Sequence, residues 1–337
     1  MRARSLWFVG PRRVEVRTAD LDTSDRSRLV VRTIASGISA GTELLAYRGE
    51  IDPSTPLDEA LGAFGGTFAF PFRYGYACVG RVERPTSGFA EGATVFAFHP
   101  HQDLLSVEPA DAIGVDGVDP AIATLLPLVE TALQVSMDAA ARPGELAVVT
   151  GLGAVGLLTA LLLQRSTLEV IGMDPREDRR KLALDLGLVA SSPEDAADVV
   201  ATRTDGVGAD VAVEASGHPD ALGPVLDLLR HEGTALVASW YGSRRAEIPL
   251  GGAFHRRRLT IRSTQVSTIP AEQAGRWNRT RRRRRARELL GVLPLDALPQ
   301  RTFPFEQAAD AYDALDRGEA GLLHATLDHR GSARTQR

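Results

Sequence analysis

The spacing of hydrophobic and polar positions changes at about residue 120. Before that point, short apolar runs alternate with Gly and Pro, in the segments SLWFVG, RVEVRTA, RLVVRTIASG, YACVGRVERP and ATVFAFHP. Short strands separated by turn residues are typical of a small barrel or sandwich. The pattern therefore predicts a β-rich domain over residues 1–120.

After residue 120, helical segments alternate with near-continuous apolar strands. PAIATLLPLVETALQVSMDAA has helical spacing, and helical segments separate the runs ELAVVTG, LEVIGMD, DVAVEASG, TALVASW and RLTIRSTQ. This alternation predicts an α/β domain over residues 121–267, with a doubly wound parallel sheet covered by helices on both faces. Residues 268–337 turn helical and charged and end in the strand-like LLHATLD, which predicts a separate return segment.

The composition is that of a globular protein, with 44% hydrophobic residues, 24% charged residues and a formal net charge of −4. The mild acidity provides no whole-chain attraction to nucleic acid or to an anionic membrane. No apolar run reaches the ~20 residues that span a bilayer. Cys78 is the only cysteine, which excludes an internal disulfide and a cysteine-built zinc site and favours a reducing, cytoplasmic location.

The segment AVVTGLGAVGLL carries the pattern G-x-G-x-x-G at Gly151, Gly153 and Gly156, between a predicted strand and a predicted helix. These glycines permit a tight turn, close approach of the backbone to a pyrophosphate, and close packing of the helix on the strand. The helix start, at Ala154 and Val155, offers N–H groups to phosphates. The pattern predicts a dinucleotide-binding site.

Asp174 ends the next predicted strand, 23 positions after Gly151. A carboxylate at this spacing binds the ribose hydroxyls and repels a 2′-phosphate, which favours NAD over NADP as the cofactor. Arg176, Arg179 and Arg180 follow closely and can offset that repulsion. NADP therefore remains an alternative.

Five motifs together resemble the medium-chain dehydrogenase/reductase superfamily, whose best-known members are zinc-type alcohol dehydrogenases. They are SGISAGTE (36–43), YGYACVGRVERP (74–85), ETAL (130–133), PGELAVVTGLGAVGLL (143–158) and DVAVEASG (210–217). The later RRLTIRSTQVSTIP is similar to a bacterial branch that includes the bacteriochlorophyllide hydroxyethyl dehydrogenases. The resemblance implies a Rossmann domain plus a GroES-like β-barrel completed by residues 268–337, with substrate and nicotinamide meeting between the two domains. It also implies a homodimer.

Zinc-dependent members carry a cysteine ligand in the first motif and a histidine ligand in the second. Here GISAGTE offers Ser39 and Ala40 at the first position, neither of them a thiolate, and Tyr76 stands at the second; the family's four-cysteine structural lobe is absent. A hydroxyl and a phenol do not make the N/S ligand set that zinc requires. We therefore expect no catalytic zinc and no structural zinc.

The resemblance implies that Tyr76 stands near the reacting carbonyl, where it can hydrogen-bond the carbonyl oxygen or pass it a proton. The alternative is that Tyr76 only fills the vacated metal pocket. Thr42 can relay a proton through its hydroxyl or cap a turn. Glu130 can orient Tyr76 or a substrate hydroxyl, or can form a buried pairing. Glu43 is expected to make a structural pairing.

The remaining candidates follow from position in the predicted fold. Ser216 and Trp240 lie at carboxyl ends of predicted strands, where α/β folds bind their ligands, and are expected to contact the cofactor. We expect the following residues to line the substrate cleft: Tyr47, Tyr74, His99, His101 and Tyr241. The basic run RWNRTRRRRRARELL (276–290) is expected to be a helix with solvated arginines, with contact to an anionic substrate as the alternative.

The resemblance implies hydride transfer between NAD(P) and an alcohol or ketone of a small specialised metabolite. Two alternatives remain open at this point. One is a reductase of activated double bonds, such as an enone, a quinone or an enoyl thioester. The other is a nucleotide-binding protein without catalysis.

Overall fold

The computed structural model describes residues 1–58, 63–86, 88–166 and 169–331, and the chain divides into two compact units. The first unit comprises Met1–Pro127 and Leu290–Arg337, and the second comprises Leu128–Leu289. Within the described residues, none of the helices combines the length and the apolarity needed to cross a membrane.

The chain begins in the first unit with strands and two short helices. In chain order these are β1 (Arg2–Gly10), β2 (Arg13–Asp20), β3 (Leu29–Ile38), α1 (Thr42–Arg48), β4 (Cys78–Arg84), β5 (Thr94–Ala97), β6 (Leu104–Val107), β7 (Ala112–Gly114) and α2 (Pro120–Ala123).

The chain then forms the elements of the second unit, the first of which starts two residues before the boundary. They are α3 (Leu126–Ala139), β8 (Ala147–Thr150), α4 (Ala154–Ser166), β9 (Val170–Met173), α5 (Glu177–Asp185), β10 (Val189–Ser191), α6 (Ala196–Arg203), β11 (Ala209–Glu214), α7 (Leu222–Asp227), β12 (Leu229–Val237), β13 (Thr260–Ser263), α8 (Ala271–Ala274) and α9 (Arg279–Leu289).

The chain returns to the first unit with β14 (Gln300–Pro304), α10 (Ala308–Asp316) and β15 (His324–Asp328). In this unit β1 and β2 form an antiparallel pair, and a second sheet has the order β14-β15-β3-β4-β5-β7, with β6 also paired to β3. The main core of this unit includes Leu6, Phe8, Ile38 and Tyr312, all essentially inaccessible to solvent.

The second unit contains a six-stranded sheet of order β10-β9-β8-β11-β12-β13, in which every pair is parallel. All four residues of β8 and of β9 are buried, as expected for strands covered by helices on both faces. The chain winds from β8 outward to β10, then crosses to β11 on the other side of β8. This confirms the predicted doubly wound α/β fold and creates a topological switch point between β8 and β11.

Two predicted helices have different limits in the structure. The segment from residue 120 to 140 forms α2 and α3, and Pro127 lies in the first turn of α3, where a missing N–H costs no helical hydrogen bond. The helical segment predicted between the runs DVAVEASG and TALVASW, PDALGPVLDLLRH, ends at Asp227 in the structure. It ends there because Leu229 already pairs with Ala209 as the start of β12. Tertiary pairing overrides local propensity here.

The unit boundaries also differ from the predicted segments. The return to the first unit begins at Leu290 rather than at residue 268. The reason is that α9 is anchored to α3 within the second unit, through a buried ion pair between Arg282 and Glu130.

Candidate functional site

The turn after β8 has a backbone that only glycine fits without strain. Gly151 has φ +88°, and a β-carbon added to it would lie 2.4 Å from Cα of Ser216, in the loop after β11. The Gly151 N–H donates to the carbonyl of Met173 at 2.7 Å. The turn is therefore held between the ends of β9 and β11, at the switch point of the sheet.

The other two glycines of the motif differ in their surroundings. A β-carbon on Gly156 would lie 1.8 Å from the carbonyl oxygen of Gly151, so α4 packs against the turn at a distance that excludes any side chain. A β-carbon on Gly153 would meet only the Arg179 guanidinium, at 3.7 Å. The space beside Gly153 is thus open, and the N–H groups of Ala154 and Val155 in the first turn of α4 lack helical acceptors. This is an anion-binding arrangement.

Asp174 directly follows β9 and is almost fully buried, with 2% of its surface exposed. Its Oδ2 accepts a hydrogen bond from the Leu152 N–H at 2.8 Å, and its Oδ1 accepts one from the Arg176 N–H at 2.9 Å. The Arg179 guanidinium approaches Oδ2 to 3.6 Å. The carboxylate is therefore fixed in orientation beside the glycine turn, and each oxygen keeps a second lone pair for a ribose hydroxyl.

Glu214 ends β11 and organises the neighbouring loops, a role that the sequence analysis missed. Its buried carboxylate accepts hydrogen bonds from the Ser216 N–H at 2.7 Å and from the Tyr241 hydroxyl at 2.6 Å. Burial, reinforced by the Glu214 carboxylate, raises the pKa of Tyr241 far above its ordinary value. Trp240 is 43% exposed after β12. The sequence signal that could have identified Glu214 is a carboxylate at the end of an apolar strand of the parallel sheet.

Gly151→Ala is expected to destabilise the protein by about 2–3 kcal/mol, because the alanine must adopt a left-handed backbone and displace Ser216. Gly153→Ala is the matched control: its β-carbon has room, so the free energy of unfolding is expected to change by about 1 kcal/mol or less. Urea unfolding followed by circular dichroism measures both. Equal destabilisation of the two variants would contradict the geometric argument.

Glu130 of α3 is engaged in a buried ion pair. Its Oε1 accepts from Nε of Arg282 at 3.0 Å, and both side chains are almost inaccessible to solvent. The same guanidinium also donates to the Gln134 side chain at 2.5 Å and to the carbonyls of Val266 and Thr268. One arginine of the basic run, Arg282, is thus buried, in contrast to the predicted helix with solvated arginines. The contacts of Glu130 favour the buried pairing over the alternative in which Glu130 orients Tyr76.

In the first unit, Glu43 on α1 is the centre of a buried polar cluster. Oε1 accepts from the Ser39 N–H at 2.8 Å, while Oε2 lies 2.9 Å from Nε2 of His101 and accepts from the Tyr312 hydroxyl. None of these three side chains, Glu43, His101 and Tyr312, is exposed to solvent. The expected structural pairing of Glu43 therefore exists, with a histidine and a tyrosine.

The cluster continues away from Glu43. Nδ1 of His101 lies 2.9 Å from the Ser36 hydroxyl, which in turn lies 2.9 Å from Nε2 of His329. Gly75 makes room for the imidazole, since a β-carbon there would lie 2.3 Å from Cδ2 of His101. Sequence reasoning missed Ser36, His329 and Tyr312, because they meet the cluster only when segments distant in sequence pack together.

Tyr76 is partly buried, and its ring packs edge-on against Tyr74 with centroids 6.1 Å apart. Burial and the charge of Glu43 raise the pKa of Tyr76 well above its ordinary value, while hydrogen bonding from the hydroxyls of Ser39 and Thr42 acts in the opposite direction. The phenol is consequently protonated at neutral pH. It can donate a hydrogen bond but is a poor base.

The other predicted cleft residues of this unit are more enclosed. Tyr47 packs against Tyr312 at 5.2 Å, and Tyr74 packs in the same apolar core. His99 has its Nδ1 2.9 Å from the Pro100 carbonyl, and burial lowers its pKa to about 4. The structure joins His101 and Ser39 to Glu43 and places Thr42 beside Tyr76. Their roles toward a substrate remain predictions.

The donors near Ser39 and Tyr76 do not fit a zinc ion. Cys78 directs its thiol to the His99 carbonyl at 3.3 Å, and burial raises its pKa to about 12. The described ranges contain no group of three or more His, Cys, Asp or Glu side chains arranged to hold a metal. The hydroxyl and phenol donors are too hard and too weakly acidic to replace thiolate and imidazole ligands.

Comparison with known proteins agrees with this architecture. Residues 154–279 match the family model for zinc-binding dehydrogenases. L-galactonate-5-dehydrogenase of Escherichia coli (strain K12) is 27% identical over 222 residues, covering 63% of this chain and 62% of that protein. D-guloside 3-dehydrogenase of the same strain is 31% identical over 181 residues, covering 52% of each. The chain thus spans 52 to 62% of the length of these curated relatives.

A solved structure from Sinorhizobium meliloti 1021, assigned as a zinc-binding dehydrogenase and bound to NADP, superposes with a TM-score of 0.75. The match covers 97% of this chain and 99% of that one at 19% identity, so it establishes a common fold. The fold, the glycine turn with its carboxylate and the matched dehydrogenase domain agree with one another. Residues 154–279 of this chain therefore resemble a zinc-binding dehydrogenase domain, and the chain shares the fold of that solved structure.

Proposed function

We propose that the protein is a zinc-independent, NAD(P)-dependent oxidoreductase that transfers a hydride between the nicotinamide and an alcohol or ketone of a small specialised metabolite. The observation that carries this proposal is the Gly151 turn at the switch point, with Asp174 fixed beside it. Relatives named as dehydrogenases of L-galactonate and of a D-guloside support an alcohol or ketone as the reacting group.

A nicotinamide nucleotide supplies or accepts the hydride when it is bound. The open backbone at Gly153 and the N–H groups at the start of α4 would hold its pyrophosphate. Asp174 would accept hydrogen bonds from the ribose hydroxyls, which is why NAD is the proposed preference. Ser216 and Trp240, at the ends of β11 and β12, would complete the contacts on the nicotinamide side.

The proposed role of Tyr76 is to polarise the carbonyl and to donate a proton as the carbonyl oxygen gains charge during reduction. Its protonated phenol suits that role, and the hydroxyls of Ser39 and Thr42 orient it. In the direction of alcohol oxidation, the phenol would have to be ionised before it could take the alcohol proton, which burial and the charge of Glu43 disfavour. Zinc independence is supported by a donor set that lacks a thiolate and an imidazole at the family's ligand positions.

The test combines nucleotide binding with turnover. Purified protein is titrated with NADH and NADPH, then assayed with a panel of ketones and a panel of enones, with and without a strong chelator, and its zinc content is measured. We expect chelator-insensitive oxidation of NADH by a ketone. Turnover with enones alone would favour double-bond reduction, and binding without turnover would favour a non-catalytic role. A stoichiometric zinc ion would contradict the metal-free site.

Asp174→Ala is expected to weaken NADH binding by about 10- to 100-fold, because the ribose hydroxyls lose a charged acceptor. NADPH binding should fall less, since the variant removes repulsion of the 2′-phosphate and leaves Arg179 beside it. Quenching of protein fluorescence by each nucleotide measures the two dissociation constants. Asp178→Ala, which removes a partner of Arg176 whose side chain is 40% exposed, is the control and should change neither constant. Equal losses for both nucleotides would contradict this role of Asp174.

We further propose a cytoplasmic homodimer that acts on a small-molecule substrate. The support for the dimer is the resemblance to the medium-chain dehydrogenase/reductase superfamily. Light scattering coupled to gel filtration measures the oligomeric state, and a monomer at micromolar concentration would contradict the proposal.

A further inference from the structure

A continuous line of buried polar groups extends from Glu43 through His101 and Ser36 to His329. Each step is a contact of 2.9 Å, and all four residues are at least nine-tenths buried. The groups come from α1, from the loop before β6, from β3 and from the residue after β15. The line therefore depends on the folded sheet of the first unit and is not a local hydrogen-bonded turn.

The donors and acceptors along this line have one consistent order. With Glu43 as a carboxylate, which only accepts, Nε2 of His101 must donate to it. Nδ1 of a neutral His101 then accepts from the Ser36 hydroxyl, so the Ser36 oxygen is free to accept from Nε2–H of His329. Every group donates toward Glu43, which is the orientation needed for successive proton transfers in that direction.

The line ends at an unpaired nitrogen. Nδ1 of His329 has no hydrogen-bond partner among the residues that the structure describes, although the side chain is only 3% exposed. His329 also lines a surface cavity of about 570 Å³, together with Arg32, Arg81, Asp103 and Arg330. An unsatisfied buried acceptor is costly, and here it belongs to a side chain that borders the cavity. A small opening beside His329 would let a proton from water reach this nitrogen.

We propose that His329, Ser36 and His101 form a proton conduit from this cavity to Glu43, and that the conduit sets the charge beside Tyr76. Nδ1 of His329 takes up a proton, and its Nε2 proton passes to the Ser36 oxygen. The Ser36 proton passes to Nδ1 of His101, and the Nε2 proton of His101 passes to Glu43. One proton has then moved and every atom keeps its valence. Only the last part, the effect on Tyr76, rests on the proposed function.

The connection to Tyr76 is electrostatic. The charge of Glu43 is one of the causes that raise the pKa of Tyr76, so neutralising Glu43 makes the phenol a better proton donor. His329 faces Arg4, Asp328 and His101 and stacks on Phe305. Burial, reinforced by the charge of Arg4, lowers its pKa, so the ring stays neutral and keeps the Nδ1 lone pair available.

The first test does not depend on activity. Nitrogen NMR of histidine-labelled protein reports which ring nitrogen carries the proton. We expect His101 and His329 both to be protonated on Nε2, and the Ser36→Ala variant to shift both ring signals. Thr124→Val is the matched control, since it removes the hydroxyl 2.9 Å from the buried His324 outside this line. A proton on Nδ1 of His329 in the wild type, or unchanged signals in Ser36→Ala, would overturn the conduit.

The second test uses turnover and chemical rescue. His329→Ala is expected to lower kcat by about 10-fold or more with little change in KM, because proton delivery and not binding is impaired. Added imidazole, which has two ring nitrogens, should restore kcat, whereas 1-methylimidazole should not. Equal rescue by both compounds would show cavity filling and overturn the proposal, as would an unchanged kcat. If the wild type turns over no substrate, the proposed function fails, and the NMR result alone decides on the conduit.

Discussion

Tyr76→Phe is expected to lower kcat for ketone reduction by about 10²- to 10⁴-fold, the range associated with loss of a general acid. The substitution removes only the hydroxyl, so the apolar packing against Tyr74 is kept and the variant should fold. NADH affinity should stay within about 2-fold of the wild type, because the proposed nucleotide contacts lie in the other unit. Steady-state kinetics with saturating NADH, together with a binding titration, measure both quantities.

Tyr74→Phe is the matched control for this prediction. Tyr74 lies two residues away, is 5% exposed and packs among Phe64 and Phe68. Loss of its hydroxyl is expected to change kcat by about 3-fold at most. If Tyr76→Phe retained most of its activity, Tyr76 would only fill the vacated metal pocket. If Tyr74→Phe lost activity instead, the proton donor would be Tyr74.

Arg282→Met is expected to lower the free energy of unfolding by about 3–5 kcal/mol, the cost of leaving a buried partner charge without compensation. The guanidinium contacts Glu130, Gln134 and the carbonyls of Val266 and Thr268, and methionine replaces none of these hydrogen bonds. Urea unfolding at neutral pH measures the change. The variant should also lose the anchoring of α9 to α3.

Arg285→Met is the control in the same run of arginines. Its guanidinium pairs with Glu288 at 3.0 Å, and both side chains are about half exposed. Exposed pairs of this kind contribute about 0–1 kcal/mol, so the two variants should differ by at least about 2 kcal/mol. Similar values for Arg282→Met and Arg285→Met would show that the buried pair adds nothing to stability.

The doubly wound sheet could be predicted because the apolar strand runs and the glycine motif of the sequence both indicate the same α/β fold. Near-continuous apolar runs such as those of β8 and β9 are typical of strands covered on both faces, and the glycine motif lies between a strand and a helix. The strands of the first unit were also recognisable, from short apolar runs that alternate with Gly and Pro. β10 and α6 were missed, since a three-residue strand and a weakly apolar helix leave little periodicity.

The polar interior could not be read from the sequence. Arg282 stands in a run of five arginines, and its pattern does not distinguish it from its solvated neighbours. His329 follows a short strand, and nothing local indicates that its ring meets Ser36, which lies 293 positions away. Such pairs depend on strand register over long separations, whereas periodicity reports only which face of an element is buried.

The absence of a side chain at Gly75 makes two positions of this chain interdependent. The imidazole of His101 occupies the volume where any β-carbon at residue 75 would project. A descendant of this protein can therefore gain a larger residue at 75 only after residue 101 has become smaller, which would also disconnect Glu43. The evolutionary order of those two replacements is constrained by sterics alone, so lineages that keep the histidine should retain the glycine.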